Sequence, residues 1–368
     1  MHIEPGLLVI MREIIAEALP GRRLALIADQ TVNRLYDEWT SGTVEARRLG
    51  ARASDAGLRL QPATRLTFPA GERSKNRETW QRLTDELLAA KLGRDTAIVA
   101  LGGGVTGDLA GFVAATFLRG VPYVQVPTTL LAMVDSSVGG KVGVDTALGK
   151  NLVGAFYQPM LVLADPLTLM SLPEQQYRGG IAEAIKHGLI ADREYFEWIT
   201  SHERDLRSRQ PDAISHLVQR SVEIKAGIVA RDEREHGQRA VLNAGHTIAH
   251  AVEQVSSYQV PHGDAVAMGL VTECRIAETM GFAEEGLATQ VGRLLERFGL
   301  PVAIPSQLGT EALMDAMALD KKNTPGALRF ALASGVGRTA SDGSKWTTVV
   351  SAQTVKNALQ FSPLNKST

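Results

Sequence analysis

Thr96-Ala97-Ile98-Val99-Ala100-Leu101-Gly102-Gly103-Gly104-Val105-Thr106-Gly107-Asp108 joins an apolar run directly to a cluster of glycines. The run has the length of a buried strand, and the small residues from Asp108 to Phe117 read as the helix that follows it. Gly102-x-Gly104-x-x-Gly107 therefore fits the dinucleotide fingerprint in its proper context, a strand before and a helix after. Glycines let the backbone approach a pyrophosphate, and the first turn of the helix offers unsatisfied N–H groups and the positive end of a dipole. One expected feature is absent. No Asp or Glu stands within Pro122–Thr129, where the ribose-binding acid of an ordinary Rossmann unit would be. Taken alone, the glycines are equally open to reading as a plain tight turn.

The alternation continues on both sides. Arg23–Ala28 is a short apolar run ending at Asp29, and Leu58–Phe68 closes on Pro69-Ala70-Gly71-Glu72. Asn76–Ala90 has helical spacing, while Tyr123–Val126 and Leu161–Ala164 are further strands. Strands separated by helices predict an α/β N-terminal dinucleotide-binding domain with a parallel sheet. From about Leu172 amphipathic stretches dominate, at Gln176–Ile190, Glu194–Ser201, Asp212–Val229, Ala240–Val255, Ala265–Met280 and Leu287–Phe298. Late strands are suggested at Leu328–Leu332 and Trp346–Val350. The expected organisation is a nucleotide-binding α/β domain over 1–170 and a mainly α-helical metal- and substrate-binding domain over 171–368, divided in the Pro166–Pro173 connection. A ligand cleft between two domains is the default expectation for such a layout.

The chain has 368 residues, which suits about two domains of roughly 150 residues each. With 44% hydrophobic and 21% charged residues, it has an ordinary globular composition. A formal net charge of −1 gives no reason to expect nucleic acid or an acidic membrane as partner. No run approaches the ~18 apolar residues of a membrane span. Met1-His2-Ile3-Glu4-Pro5-Gly6 has neither the basic start nor the cleavage site of a signal peptide, so a cytoplasmic location is expected. The single cysteine, Cys274, excludes an internal disulfide framework and suits a reducing compartment. It is expected to pack in the core, within the helical run Val271–Ala277.

The second half places imidazoles and a carboxylate in three glycine-flanked settings. They are Gly180-Ile181-Ala182-Glu183-Ala184-Ile185-Lys186-His187, Asn243-Ala244-Gly245-His246-Thr247-Ile248-Ala249-His250 and Pro261-His262-Gly263-Asp264. Such donors form the ligand set of an open divalent-metal site. Spacing alone favours His246 with His250, because i and i+4 share a helix face. Arg239, Asn243, His246 and His250 fall at offsets 0, 4, 7 and 11 and are expected as one stripe on a single helix. A polar stripe among Val241, Leu242, Ile248 and Ala249 is costly unless it faces a wet cleft or a partner charge. His2, His202, His216 and His236 read as surface residues, and His187 as structural. On the nucleotide side, Asp29 at a strand end and Glu72-Arg73-Ser74-Lys75 in a polar loop are candidate cofactor contacts.

The most specific segment is Arg119-Gly120-Val121-Pro122-Tyr123-Val124-Gln125-Val126-Pro127-Thr128-Thr129-Leu130-Leu131-Ala132-Met133-Val134-Asp135-Ser136-Ser137-Val138-Gly139-Gly140-Lys141. It continues through Asp145-Thr146-Ala147-Leu148-Gly149-Lys150-Asn151, and its cations sit beside small, turn-forming residues where they can converge on an anion. Together with Glu183, Lys225, Asp232-Glu233-Arg234-Glu235, the Asn243–His250 run, His262-Gly263 and Asp320-Lys321-Lys322, it resembles the 3-dehydroquinate synthase family of sugar-phosphate cyclases. The resemblance covers most of the chain.

What the resemblance implies is a phosphorus–oxygen lyase of the shikimate pathway, which leads to chorismate and the aromatic amino acids. Its cofactors would be NAD and one divalent metal, Zn or Co, and its assembly a homodimer. The substrate would be 3-deoxy-D-arabino-heptulosonate 7-phosphate. Transient oxidation by NAD⁺, phosphate elimination, re-reduction and an intramolecular aldol closure would yield 3-dehydroquinate. Carried over position by position, the metal ligands are Glu183, His246 and His262, and His250 turns instead to the substrate phosphate. Asp135, Lys141, Asn151, Lys186, Lys225, Arg239, Asn243 and His250 form the catalytic set. Arg119, Lys141, Asn243, His250 and Lys321 (chosen over Lys322) hold the phosphate, Arg119 across a dimer interface. Asp29, Glu72, Lys75, Gly103, Gly104, Val105, Asp108, Thr128, Thr129 and Lys150 contact the cofactor.

The alternatives are a cyclase acting on sedoheptulose 7-phosphate or glucose 6-phosphate, a metal-dependent polyol dehydrogenase, and a non-enzymatic nucleotide-binding module. The other cyclases tend to differ at positions matching Lys225, Asn243 and His250. Two departures from the family pattern stand out. Only Met1–Pro5 precede Gly6 where an edge strand is usual, so a reduced sheet edge or a late start is expected. Asp264 follows His262-Gly263 where Glu is frequent, and it is expected to alter only the surroundings of the ligands.

Overall fold

The structure is a computed structural model, and it describes residues 1–41, 63–318, 328–341 and 345–360. By its internal contacts the chain divides into two compact units, Met1–Leu172 and Pro173–Thr368.

The first unit is built on a parallel sheet of β1 (His2–Ile3), β2 (Arg23–Asp29), β3 (Thr64–Phe68), β4 (Thr96–Gly102), β5 (Tyr123–Pro127) and β8 (Leu161–Ala164). The spatial order is β1-β8-β5-β4-β2-β3, with every pairing parallel. Side chains alternate across it, as the period of a strand requires. Ala25, Ile27, Ile98 and Ala100 enter a core with α3 (Arg77–Ala89) and α4 (Gly104–Thr116). Leu26, Ala28, Val99 and Leu101 enter a second core with α1 (Leu7–Ala18). Helices therefore cover both faces, α2 (Gln30–Ser41) following β2. Chain order reverses between β2 and β4. Their C-terminal ends, Asp29 and Gly102, flank the switch point where open parallel sheets take ligands.

Several local expectations change. The strand expected over Leu58–Phe68 is described from Thr64, and residues 58–62 lie outside the described residues. The helix expected from Asp108 begins at Gly104, so two of the fingerprint glycines, Gly104 and Gly107, form its first turn. Asn76 caps α3 rather than belonging to it, its Oδ1 accepting from Thr79 N–H at 2.8 Å. The glycine-rich stretch after Ser137 folds as an antiparallel hairpin, β6 (Lys141–Thr146) with β7 (Gly149–Phe156), which composition had disguised as loop. The edge strand β1 is two residues long, with His2 opposite Leu163 and Ile3 opposite Ala164.

The second unit is mainly helical: α5 (Glu174–Ala191), α6 (Arg193–Ser201), α7 (Glu203–Arg207), α8 (Pro211–Arg231), α9 (His246–Val255), α10 (His262–Thr279), α11 (Leu287–Arg297), α12 (Thr310–Ala318) and α13 (Ala352–Leu359). Two small antiparallel pairs accompany them, β9 (Leu328–Phe330) with β12 (Thr348–Val350) and β10 (Ala333–Gly335) with β11 (Arg338–Thr339). Helix α10 is central, buried without interruption from Gly263 to Cys274, with Asp264, Thr272 and Glu273 among the buried side chains. Cys274 is part of this core, as expected. Glycines let α10 approach its neighbours. A Cβ on Gly263 would lie 2.1 Å from Gly179 Cα of α5, and one on Gly269 would lie 2.0 Å from Gly245 O.

That second approach overturns the single helix expected over Ala240–Val255. Gln238–Asn243 is a 3-10 turn, and α9 starts only at His246. Between them Gly245 takes φ +80°, a left-handed conformation through which an α-helix cannot run. Arg239 and Asn243 are thus not on the helix that carries His246 and His250.

Candidate active site

At the switch point, β4 feeds directly into α4. Gly103 is the N-cap and makes no side-chain cap hydrogen bond, so a backbone N–H array remains at the start of a 13-residue helix. Thr128 lies on the neighbouring strand end, its N–H donating to Gly102 O at 2.9 Å, and Thr129 Oγ1 accepts from Ala132 N–H at 3.2 Å. Asp29 spends one oxygen on capping α2, with Thr31 and Val32 N–H donating to Oδ1 at 2.8 and 3.0 Å.

Lys75 is the hub of the polar group here. Although only 4% exposed, its Nζ stands 2.9 Å from Glu72, 3.2 Å from Asp108 and 3.8 Å from Asp145. Burial opposes the charge on Lys75, but Asp108 and Glu72 outweigh it and raise the lysine well above its ordinary value. Glu72 is held below the usual carboxylate range, Lys75 and then Lys150 overcoming its burial. Asp108 goes the other way: burial, only partly offset by Lys75, pushes it up to about 6. Asp145, which the sequence did not single out, ties the hairpin to this group. Its N–H donates to Lys75 O at 2.7 Å, and its Oδ1 accepts from Asn151 N–H at 2.8 Å. Asn151 is thereby held at φ +54°, next to Lys150. Lys141 and Asn151 are exposed on the hairpin, and Asp135 is half-buried in a π-helical turn over Ala132–Ser136. Arg119 is exposed in a left-handed turn at φ +69°.

In the second unit, three helices each contribute one donor. Glu183 is fully buried on α5, while His246 and His262 are the first residues of α9 and α10. Ligand atoms of the three lie within 4.8 Å of one another. Nε2 of His246 and of His262 stand 3.4 and 3.3 Å from Glu183 Oε1. Lys186, 1% exposed and one turn along α5, sets its Nζ against Oε2 of the same carboxylate. Neither Glu183 oxygen nonetheless accepts a hydrogen bond of normal geometry. A carboxylate and two imidazoles converging in this way fit a divalent cation that favours nitrogen and oxygen. His250 is outside this group. It is exposed one turn along α9, its ring 5.5 Å from that of His246.

Electrostatics follow from the packing. Burial would raise Glu183, but Lys186 and then His246 hold it well below the carboxylate range. His246 is lowered to about 4, by burial first and Lys186 second. Burial would also lower His262, yet Glu183 and Glu253 raise it to about 10. Those two carboxylates face its two ring nitrogens, which makes Glu253 a second residue that the sequence reading missed. It falls three residues after His250 and seven after His246 on α9, so the spacing within that helix carried a signal.

The segment before α9 folds on Asp232. Its carboxylate accepts from the N–H groups of His236, Gly237 and Arg239 at 2.9, 2.7 and 2.9 Å. Arg239, 3% exposed, donates from its guanidinium to Glu233 O, and Asn243 Nδ2 donates to Glu235 Oε1 at 2.9 Å. Lys225 on α8 is 7% exposed. Lys321 and Lys322 lie outside the described residues.

Several solved enzymes share this fold. A 2-deoxy-scyllo-inosose synthase complexed with carbaglucose-6-phosphate, NAD⁺ and Co²⁺ matches with a TM-score of 0.84 and 28% identity, over 97% of this chain and 95% of that one. A 2-epi-5-epi-valiolone synthase from Streptomyces hygroscopicus subsp. jinggangensis 5008, with NAD⁺ and Zn²⁺ bound, matches at 0.81 and 28%, over 96% and 94%. A probable glycerol dehydrogenase from Sinorhizobium meliloti shares the fold, with a TM-score of 0.62 and 14% identity over 97% of this chain and 94% of that one. In sequence, residues 65–179 match the family model for the 3-dehydroquinate synthase N-terminal region and residues 180–323 that for the C-terminal region. The 3-dehydroquinate synthase of Nitrosomonas europaea is 43% identical over 356 residues, 96% of this chain and 92% of its own. The chain belongs to the 3-dehydroquinate synthase family.

Proposed function

We propose that this chain is a 3-dehydroquinate synthase, converting 3-deoxy-D-arabino-heptulosonate 7-phosphate to 3-dehydroquinate and phosphate by transient oxidation, elimination, re-reduction and aldol closure. The observation that carries the reading is the convergence of Glu183, His246 and His262, with Lys186 against the carboxylate, in a chain matched by both family models. A zinc or cobalt ion held by those three side chains would acidify a substrate hydroxyl, and NAD⁺ on the α4 turn would supply the hydride acceptor.

The remaining residues bind and orient. The N–H groups of Gly104 and Val105 would hold the pyrophosphate of the dinucleotide, while Lys75 is kept cationic by Asp108 and Glu72. Thr128, Thr129, Asp29 and Lys150 complete that set. Lys186, set against the Glu183 carboxylate, donates to a substrate oxygen. Lys225, Asp135, Lys141 and Asn151 take the hydroxyls and carboxylate with Arg239 in the same catalytic set, and their many charge-assisted donors suit a polyanionic substrate. His250, on the same face of α9 as His246, offers a ring N–H to the phosphate, with Arg119, Lys141, Asn243 and Lys321. The reading includes a cytoplasmic homodimer to whose sites Arg119 contributes from the neighbouring subunit.

Incubating the protein with the seven-carbon deoxy sugar phosphate, NAD⁺ and zinc should release phosphate and dehydroquinate in equal amounts without NADH building up. Sedoheptulose 7-phosphate and glucose 6-phosphate, run in parallel, should yield no carbocycle. Accumulating NADH would identify a dehydrogenase instead. Turnover of either alternative sugar phosphate in preference to the first would move the chain to another cyclase class.

A further inference from the structure

Glu253 sits in the last turn of α9 and is 6% exposed. A buried carboxylate is costly, and the C-terminal end of a helix dipole adds to that cost, so a compensating partner is needed. The turn after α9 supplies one. Tyr258 N–H and Ser256 Oγ donate to the backbone carbonyl of Glu253 at 2.7 and 3.0 Å, which winds the turn, while Ser257 and Tyr258 take left-handed φ of +53° and +60°. This tight winding brings the start of α10 back against Glu253, with His262 Nδ1 3.5 Å from Glu253 Oε2.

His262 is the donor that most needs orienting. Its side chain is 33% exposed, against 14% for His246 and 1% for Glu183. The two imidazoles are also set differently. Nδ1 of His246 lies 3.1 Å from the neutral carbonyl of Ala244, whereas Nδ1 of His262 faces a carboxylate. An acceptor at Nδ1 favours a proton on that nitrogen, so that Nε2, 3.3 Å from Glu183 Oε1, would offer its lone pair to a cation shared with that carboxylate.

We propose that Glu253 is the positioning carboxylate of His262: it fixes the ring's orientation and tautomer and thereby tightens the hold of Glu183, His246 and His262 on a divalent cation. This role rests on the metal reading above, so the test measures the metal directly.

Zinc affinity is measured by competition with a chromogenic chelator for the wild type, Glu253→Gln, Glu253→Ala and, as a reference for loss of a donor, His262→Ala. Melting of the chelator-treated proteins and NAD⁺ affinity are followed alongside. The expected result is zinc binding about ten- to a hundredfold weaker in Glu253→Ala and intermediate in Glu253→Gln. Metal-free melting and NAD⁺ affinity should stay at wild-type values. The visible band of the cobalt-loaded protein should shift in Glu253→Gln, because the imidazole donor is weakened. If Glu253→Ala fails to fold, the Gln variant decides. Zinc affinity within twofold of wild type in the folded variants, with an unchanged cobalt band, overturns the role. Weakening that merely follows a lower metal-free melting temperature overturns it as well. A wild-type chain that binds no zinc fails one step earlier, taking the metal reading with it.

Discussion

Asp108 shows how one carboxyl acquires its properties from its neighbours. It follows the glycine turn in the sequence, where the resemblance makes it a cofactor contact, and in the fold it faces Lys75 beside two further carboxylates. Burial and those acids push it from 3.8 up to about 6. Folded Asp108 therefore holds a proton over a window in which unfolded Asp108 has lost it. A raised carboxyl contributes most to stability below its unfolded pKa, and the contribution falls as pH rises towards about 6. Subtracting the urea-unfolding free energy of Asp108→Asn from that of wild type isolates this slope. The difference should turn against wild type by about 1–2 kcal/mol between pH 4 and 7. A flat difference would mean the carboxyl titrates normally. Much of this cluster was legible at the residue level, since Glu72, Lys75 and Asp108 all stood out. Asp145 was not, because its role is a backbone and carboxylate clamp on Asn151 that exists only once the hairpin has closed.

Elements bring donors together by how closely their backbones can approach. His262 begins α10 and Glu183 lies in α5, and the contact that sets these helices' separation is Gly263 on Gly179. Gly263→Ala puts a methyl 2.1 Å from backbone, where nothing can rotate away, so the helices must part. The expected loss is about 1–3 kcal/mol of stability, with weaker zinc binding as His262 moves. Gly227→Ala in α8 is the contrast. Its added methyl meets nothing within 4 Å, and Ala is the better helix former, so stability should rise by about 0.5–1 kcal/mol. Equal effects in thermal melts of the two variants would show that the glycine contact does not control helix spacing. The same logic separates what the sequence revealed at this scale from what it hid. Strands β2, β4, β5 and β8 and helices α5, α8 and α11 announce themselves through apolar period. The break at Gly245 does not, because hydrophobic spacing runs through it while the backbone turns left-handed to meet Gly269. The hairpin β6–β7 was hidden for a related reason: small residues such as Gly143 and Gly154 permit close strand pairing but weaken the alternation by which strands are recognised.

At the scale of the whole chain, the two units carry different donor chemistry. The first offers backbone N–H groups and a lysine held among acids, a constellation for a dinucleotide; the second offers a carboxylate and imidazoles, a constellation for a cation. Each unit also has its own hydrophobic interior, so a ligand should stabilise chiefly the unit whose donors it satisfies. Binding to the native state alone adds about 2.7 kcal/mol at a concentration a hundredfold above Kd. Hydrogen exchange resolves where that stabilisation falls. Zinc at such a concentration should slow amide exchange in α5, α9 and α10, while NAD⁺ should slow it in β2, β4 and the first turns of α4. Treatment with a chelator should reverse the first pattern and leave the second in place. Protection by zinc confined to the β2–β4 sheet would contradict the assignment of the cation to Glu183, His246 and His262. If chelation also removed NAD⁺ protection, the dinucleotide site would depend on the metal, and the hydride acceptor could bind only to a chain already loaded to activate the hydroxyl.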